Sequence, residues 1–210
     1  MKNPKDTIAQ SPYPKLSLGS LVVSAVCAFF IVIATFKQFH LEYINPLEAL
    51  VHDGLAHQSL SYYAQIPVVL FIGAFLGQRF GTFSILAYIL TGLFVAPVFG
   101  LGGGVKYLLQ PSFGYILGYI FGVYFVGKNL ENNRSPLALF LSAILGVIVI
   151  HLTGIAYLFL VSFFHHQELS LILGWIWTFS GLQISYDLLF SILTVLLARP
   201  TRGIFSIVLK

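Results

Sequence analysis

What most limits the fold of this chain is the length of its uncharged runs. Between Lys15 and Lys37 stand 21 residues without a charge, Leu16 to Phe36, about 31 Å if helical and so long enough to cross a bilayer core. Similar runs follow. Tyr62 to Gln78 ends at Arg79, Phe80 to Pro97 comes at once after it, Ser112 to Gly127 stops at Lys128, and Pro136 opens an uncharged stretch to Gln167. The 18 formal charges, 11 Lys and Arg with 7 Asp and Glu, cannot cover a soluble particle of this size, whereas a chain solvated by lipid needs charge only where its helices meet water.

The first run lacks a small-residue cleavage site and follows a polar tail, so it reads as a retained span and not as a removable signal. Gln38 to Ser61 mixes Glu42, Glu48, Asp53, His40, His52 and His57 with Leu and Tyr. It reads as an extramembrane loop, with a short surface helix where Pro46 suits a helix start. The tight join at Arg79 predicts an antiparallel hairpin of spans two and three. Gly100 to Gln110 is too rich in glycine for a helix, and KNLENNRSP, after the fourth span, must face water. Pro136 fits the first position of a fifth helix. Ser170 to Ala198, at 29 residues, is longer than one span needs. A break near Ser180-Gly181 divides it into a first segment with Trp175 and Trp177 in the interfacial aromatic belt and a final span. The chain thus reads as a single domain over 1–210, an all-α integral membrane protein with six transmembrane helices near 16–36, 62–78, 80–99, 112–127, 136–162 and 183–198, and a glycine-rich outer loop at 100–110.

Six spans place both termini on one side. Lys2, Lys5, Lys15, Arg79, Lys128, Arg134, Arg199, Arg202 and Lys210 fall on that side, and only Lys37 and Lys106 on the other. Nine basic residues against two predict cytoplasmic termini and a multi-pass protein of the cell membrane. The net charge of +4 then follows from topology, and no basic stripe with interleaved aromatics points to nucleic acid. Cys27 stands alone, which excludes a disulfide framework and a multi-cysteine metal site. No cofactor is expected.

Spanning a membrane leaves a few residues unexplained. Asp187 lies in GLQISYDLLFSILTVLLA with no cation within eleven residues, where an ionised carboxylate costs about 2.5–3.5 kcal/mol on insertion scales. Either it caps the start of the last helix or it faces a cavity or a partner. His151 sits inside span five and reads as a proton relay or, more blandly, as a hydrogen bond to a neighbouring helix. His165-His166 with Glu168 is too small a set for a metal site. Gln65 offers both a donor and an acceptor at the head of span two. Gly102 to Gly104, beside Lys106, serve either as a flexible connection or as exposed N–H groups for an anion. Ser20, Ser24 and Ala28, at four-residue spacing, form a small-residue stripe for close helix packing, within the chain or with a partner. There is no Walker A sequence, no Ser/His/Asp set and no HExxH, so catalysis by this chain is not expected, and any uphill transport draws its energy from a partner or an ion.

The run GQRFGTFSILAYILTGLFVAPVFGLGGGVKYLLQPSFGYILGY resembles the central region of the BioY family, the biotin-binding S-components of energy-coupling factor (ECF) transporters. Gln65, Gly73 and Gly77 fit its Q-x(7)-G-x-x-x-G; Gly102 to Gly104 fit its glycine loop; Pro111, Ser112, Gly114, Tyr115 and Gly118 fit its closing P-T/S-G-G-Y-x-x-G pattern. Asp187 and Leu188 match the Asp and Leu that open its final span. The resemblance implies a six-helix S-component bundle that takes biotin from outside and delivers it with a transmembrane coupling protein and ATPase subunits. It implies that Asp187 helps hold the ureido ring. The expectation built on it is that Asp187 and Gln65 bond the ureido group, that residues around Tyr115 cover the rings, and that Lys106 or loop N–H groups such as those of Gly103 and Gly104 meet the carboxylate, with Ser112 among the substrate-binding residues. By the same match Ser20, Ser24 and Ala28 dock on the coupling protein. Three positions depart from the pattern: Gly102, Ile116 and Phe190 stand where some members carry Asn, Arg and Lys. That leaves Lys106 as the replacement partner for the carboxylate, and leaves open an S-component for another vitamin or a membrane protein that only binds its neighbours.

Overall fold

The computed structural model describes residues 18–44 and 57–204. The proposed helix at Pro46, the N-terminal tail with its three lysines and the chain end at Lys210 lie outside them. In chain order the described elements are α1 (Leu18–Phe36), β1 (Gln38–Ile44), β2 (His57–Tyr63), α2 (Gln65–Phe94), α3 (Phe113–Asn129), α4 (Pro136–Phe164), α5 (Leu169–Ser180) and α6 (Gln183–Ile204), with a 3₁₀ turn at Val105–Leu109. Four helical stretches among them are long and apolar enough to cross a membrane: Leu18–Phe36, Gln65–Phe94, Pro136–Phe164 and the α5–α6 pair Leu169–Ile204.

The stretch α2 is not one straight rod. A continuous helix would hold Gln65 and Tyr88 about 34 Å apart, yet Gln65 Nε2 lies 3.5 Å from Tyr88 Oη. The chain reverses at Gly77, whose φ of 82° and ψ of 179° fall where side chains are essentially forbidden. The two arms pack so closely that a Cβ on Gly81 would sit 3.3 Å from Gly73 Cα. The sequence places this reversal at Arg79; the geometry makes it two residues earlier, at the glycine.

A broken helix leaves carbonyls without partners. Arg134 Nη1 donates to Ala74 O at 2.8 Å and Arg202 Nη1 to Phe75 O at 2.9 Å, so guanidiniums from two other parts of the chain close the open turn. Burial and the neighbouring Arg202 lower the pKa of Arg134 to about 10, which keeps it charged at neutral pH. The turn, Lys128 at the foot of α3, Arg134 and the basic end of α6 therefore share one end of the bundle.

Small residues set the helix spacing. α3 lies between α2 and α4, and a Cβ on Gly118 would stand 2.9 Å from Ile150 O, so the backbones meet without a side chain between them. In α1, Ser20, Ser24, Cys27, Ile31, Ala34 and Thr35 are buried. Ser20 and Ser24 thus pack inside this chain, which is the packing alternative for the stripe and not a free docking face; Ala28 beside them is half-buried. The outward face of α1 carries Val22, Val26, Phe29, Phe30 and Ile33.

The segment expected to be a loop forms an antiparallel ribbon, so the fold is mostly helical and not all-α. Gln38 pairs with Tyr63, His40 with Ser61 and Ile44 with His57. The cause is legible in QFHLEYI, whose polar and apolar residues alternate with the strand period of two.

Gly127 tests the glycine account. A Cβ there would overlap the backbone N of Gln78, a contact no rotamer can relieve. Gly127→Ala is expected to cost about 1–3 kcal/mol and to lower the thermal unfolding midpoint in detergent. Gly174→Ala, which meets nothing within 4 Å, serves as the control and should not.

Candidate functional site

At the end of the bundle away from the arginines, a cavity of about 340 Å³ opens. Its walls come from six parts of the chain. Thr35 closes α1, and Ser61 and Tyr63 lie at the end of β2. Gln65 and Ile66 begin α2, and Gly100 and Leu101 belong to the glycine loop. Ser112, Tyr115 and Tyr119 share one face of α3 at helical spacing, and Thr178, Phe179, Gln183 and Asp187 come from the α5–α6 junction.

Asp187 is 2% exposed and lies in the second turn of α6, past the capping positions. Its Oδ1 accepts from Tyr62 Oη at 2.9 Å, and its Oδ2 meets His151 Nε2 at 3.2 Å. The bonds continue: His151 Nδ1 lies 2.8 Å from Ser180 Oγ, and Ser180 Oγ lies 2.7 Å from Tyr115 Oη. The carboxylate is therefore a partner across helices and not a cap. Asp187 and His151, both singled out in the sequence, prove to be each other's partner. A carboxylate accepts about four hydrogen bonds, so two protein donors leave capacity for a ligand N–H.

A second set of polar contacts in the lining is centred on Gln65. Its Nε2 donates to Thr35 Oγ1 at 2.6 Å, and its Oε1 accepts from Tyr119 Oη at 3.1 Å. The amide orientation is thus fixed, with one oxygen lone pair left. Apolar cover comes from rings. Tyr115 and Phe179 lie 5.6 Å apart between centroids, and Tyr107 packs 4.6 Å from Phe99.

Of the residues singled out in the sequence, Asp187, Gln65, Tyr115 and Ser112 line this one cavity. Gly103, Gly104 and Lys106 do not line it. Gly104 N–H donates to Gly92 O at 2.8 Å, and a Cβ on Gly103 would stand 2.7 Å from Gly92 O and from Pro97 Cα; these glycines fold the loop onto the end of α2. Lys106 is exposed on the 3₁₀ turn. Ile116 is buried and lines the cavity, and Phe190 packs 5.3 Å from the Tyr62 ring. Sequence reasoning missed Tyr62, Thr35, Tyr119, Ser180 and Gln183. For Tyr119 a signal existed, four residues after Tyr115; Tyr62 and Ser180 reach the site only through tertiary packing.

Fold and site together define a polytopic membrane protein with a small-ligand cavity at one end. The chain belongs to the BioY family, whose sequence model matches residues 10–207. It is 38% identical over 97 residues to a probable biotin transporter BioY of Lysinibacillus sphaericus, covering 45% of this chain and 50% of that protein. It is 31% identical over 99 residues to a biotin transporter BioY of Thermotoga maritima, covering 46% and 57%. The matches thus span about half the length of these curated relatives. The crystal structure of an S-component for biotin from an ECF-type ABC transporter shares the fold, with a TM-score of 0.65 at 24% identity over 90% of this chain and 95% of that one.

Breaking the buried pair from one side should be costly. His151→Leu leaves Asp187 Oδ2 unpaired, with an expected loss of about 3–5 kcal/mol, and the double variant with Asp187→Leu should lose clearly less than the sum of the single changes. Thermal unfolding of the four proteins in one detergent measures this; additive losses contradict the pairing.

Proposed function

We propose that this chain is the substrate-binding membrane subunit, the S-component, of an ECF-type transporter, and that it binds biotin in the cavity between Gln65 and Asp187. The observation that carries the reading is a pair of acceptors, Asp187 and Gln65, each held by protein donors and both lining one cavity. The ureido group of biotin presents two N–H donors and one carbonyl. One N–H goes to Asp187 and the other to the remaining lone pair of Gln65 Oε1; Gln183, which lines the same cavity, donates to the carbonyl. Tyr115 and Phe179 cover the fused rings. A volume of about 340 Å³ falls in the range of pockets that enclose small ligands.

The orientation belongs to the same proposal. With the two arms of α2 counted separately, α1, α3, α4 and α6 complete six spans. Arg79, Lys128, Arg134, Arg199 and Arg202 stand at the end away from the cavity, so the positive-inside rule puts that end in the cytoplasm and the cavity outside, where an importer captures its substrate. A coupling protein and ATPase subunits supply the energy, since this sequence has no Walker A motif. The exposed apolar faces meet lipid and those partners.

Binding of biotin to the purified protein tests the site. A hydrogen bond to a charged group is worth about 1.5–3 kcal/mol, so Asp187→Ala should weaken affinity roughly 10- to 150-fold. Gln65→Leu should weaken it about tenfold with the fold retained. Calorimetric titration decides, and unchanged affinity in both variants removes them from the site.

A further inference from the structure

The charge of the cavity is one-sided. Asp187 is the single charged side chain on its wall; the other polar lining groups are hydroxyls and amides, among them Tyr63, Ser112, Thr178 and Gln183. Among the described residues, the cations at this end of the bundle are Lys37 and Lys106. Both are exposed and neither lines the cavity; Lys37 Nζ sits 6.0 Å from the Phe39 ring centroid. The segment 45–56 contains no Lys or Arg. Phe190, one turn from Asp187, is taken up against Tyr62.

A carboxylate brought into this space would lose water without gaining a cation and would share the cavity with another anion, both unfavourable in a low dielectric. A carboxamide would not. Its N–H and C=O match the hydroxyls and amides of the rim, where Tyr63, Leu101 and Thr178 are exposed. Resting on the biotin reading above, we infer that the site recognises the bicyclic ring system and not the charge of the tail, so that its substrate class includes biotin whose carboxyl is capped by an amide.

The test compares biotin with biotinamide by calorimetric titration on the purified wild-type protein and on Lys106→Ala, at low salt so that a charge contact is not screened. Biotinamide is expected to bind within about threefold of biotin or more tightly, in both proteins. Amide binding at least tenfold weaker than the acid overturns the inference while leaving the biotin site intact; loss of that gap in Lys106→Ala would then assign the carboxylate to Lys106. Absence of binding by either compound to the folded wild-type protein overturns the biotin reading and this inference together.

Discussion

A single carboxylate inside an apolar bundle governs how the cavity-bearing half of this protein is put together. Asp187 carries a cost of about 2.5–3.5 kcal/mol on insertion scales, and nothing in its own helix offsets it. The compensation comes from elsewhere: Tyr62 from the ribbon, His151 from the middle of α4, and, through His151, Ser180 at the break between α5 and α6. These donors converge only when β2, α4, α5 and α6 are all in place. The bond from Ser180 to Tyr115 extends the requirement to α3. A polar network of this kind stabilises little when half made and specifies one arrangement when complete.

The two ends of the bundle use charge in opposite ways. At the turn of α2, positive charge is fixed on backbone carbonyls: Arg134 and Arg202 satisfy the groups that Gly77 frees. At the other end a carboxylate is held by a phenol and an imidazole beside a space that stays open. The first arrangement holds a sharp reversal in a short hairpin; the second holds a ligand-sized cavity with two fixed acceptors in its lining. The arginine-rich end and the cavity therefore lie at opposite ends of the bundle.

Much of this was legible in the sequence because the physical signals were local. Charge-free runs mark the helices, Gly77 lies beside the expected reversal, and Ser180-Gly181 marks the break before α6. Asp187 and Gln65 stand out as polar residues in apolar surroundings, and both reach the cavity. The rest depends on contacts between residues far apart in the chain. His151 lies 36 positions before Asp187, and Tyr62 lies 125 before it, so neither partnership has a spacing to betray it. The glycine loop misled in another way. Glycine allows close approach, but the surface approached by Gly103 and Gly104 is the end of α2. The ribbon at Gln38–Ile44 carried its period-two pattern openly and was outweighed by the charged and histidine residues in it.

The proposed biotin site rests on family membership, the shared fold and two fixed acceptors that line one cavity. An experimental structure of the protein with biotin bound tests that account most directly. The account predicts the ureido group between Gln65 and Asp187, with Asp187 still held by Tyr62 and His151 and the rings against Tyr115. Biotin seated elsewhere, or a carboxylate of Asp187 that contacts only protein with the ligand bound, would contradict it.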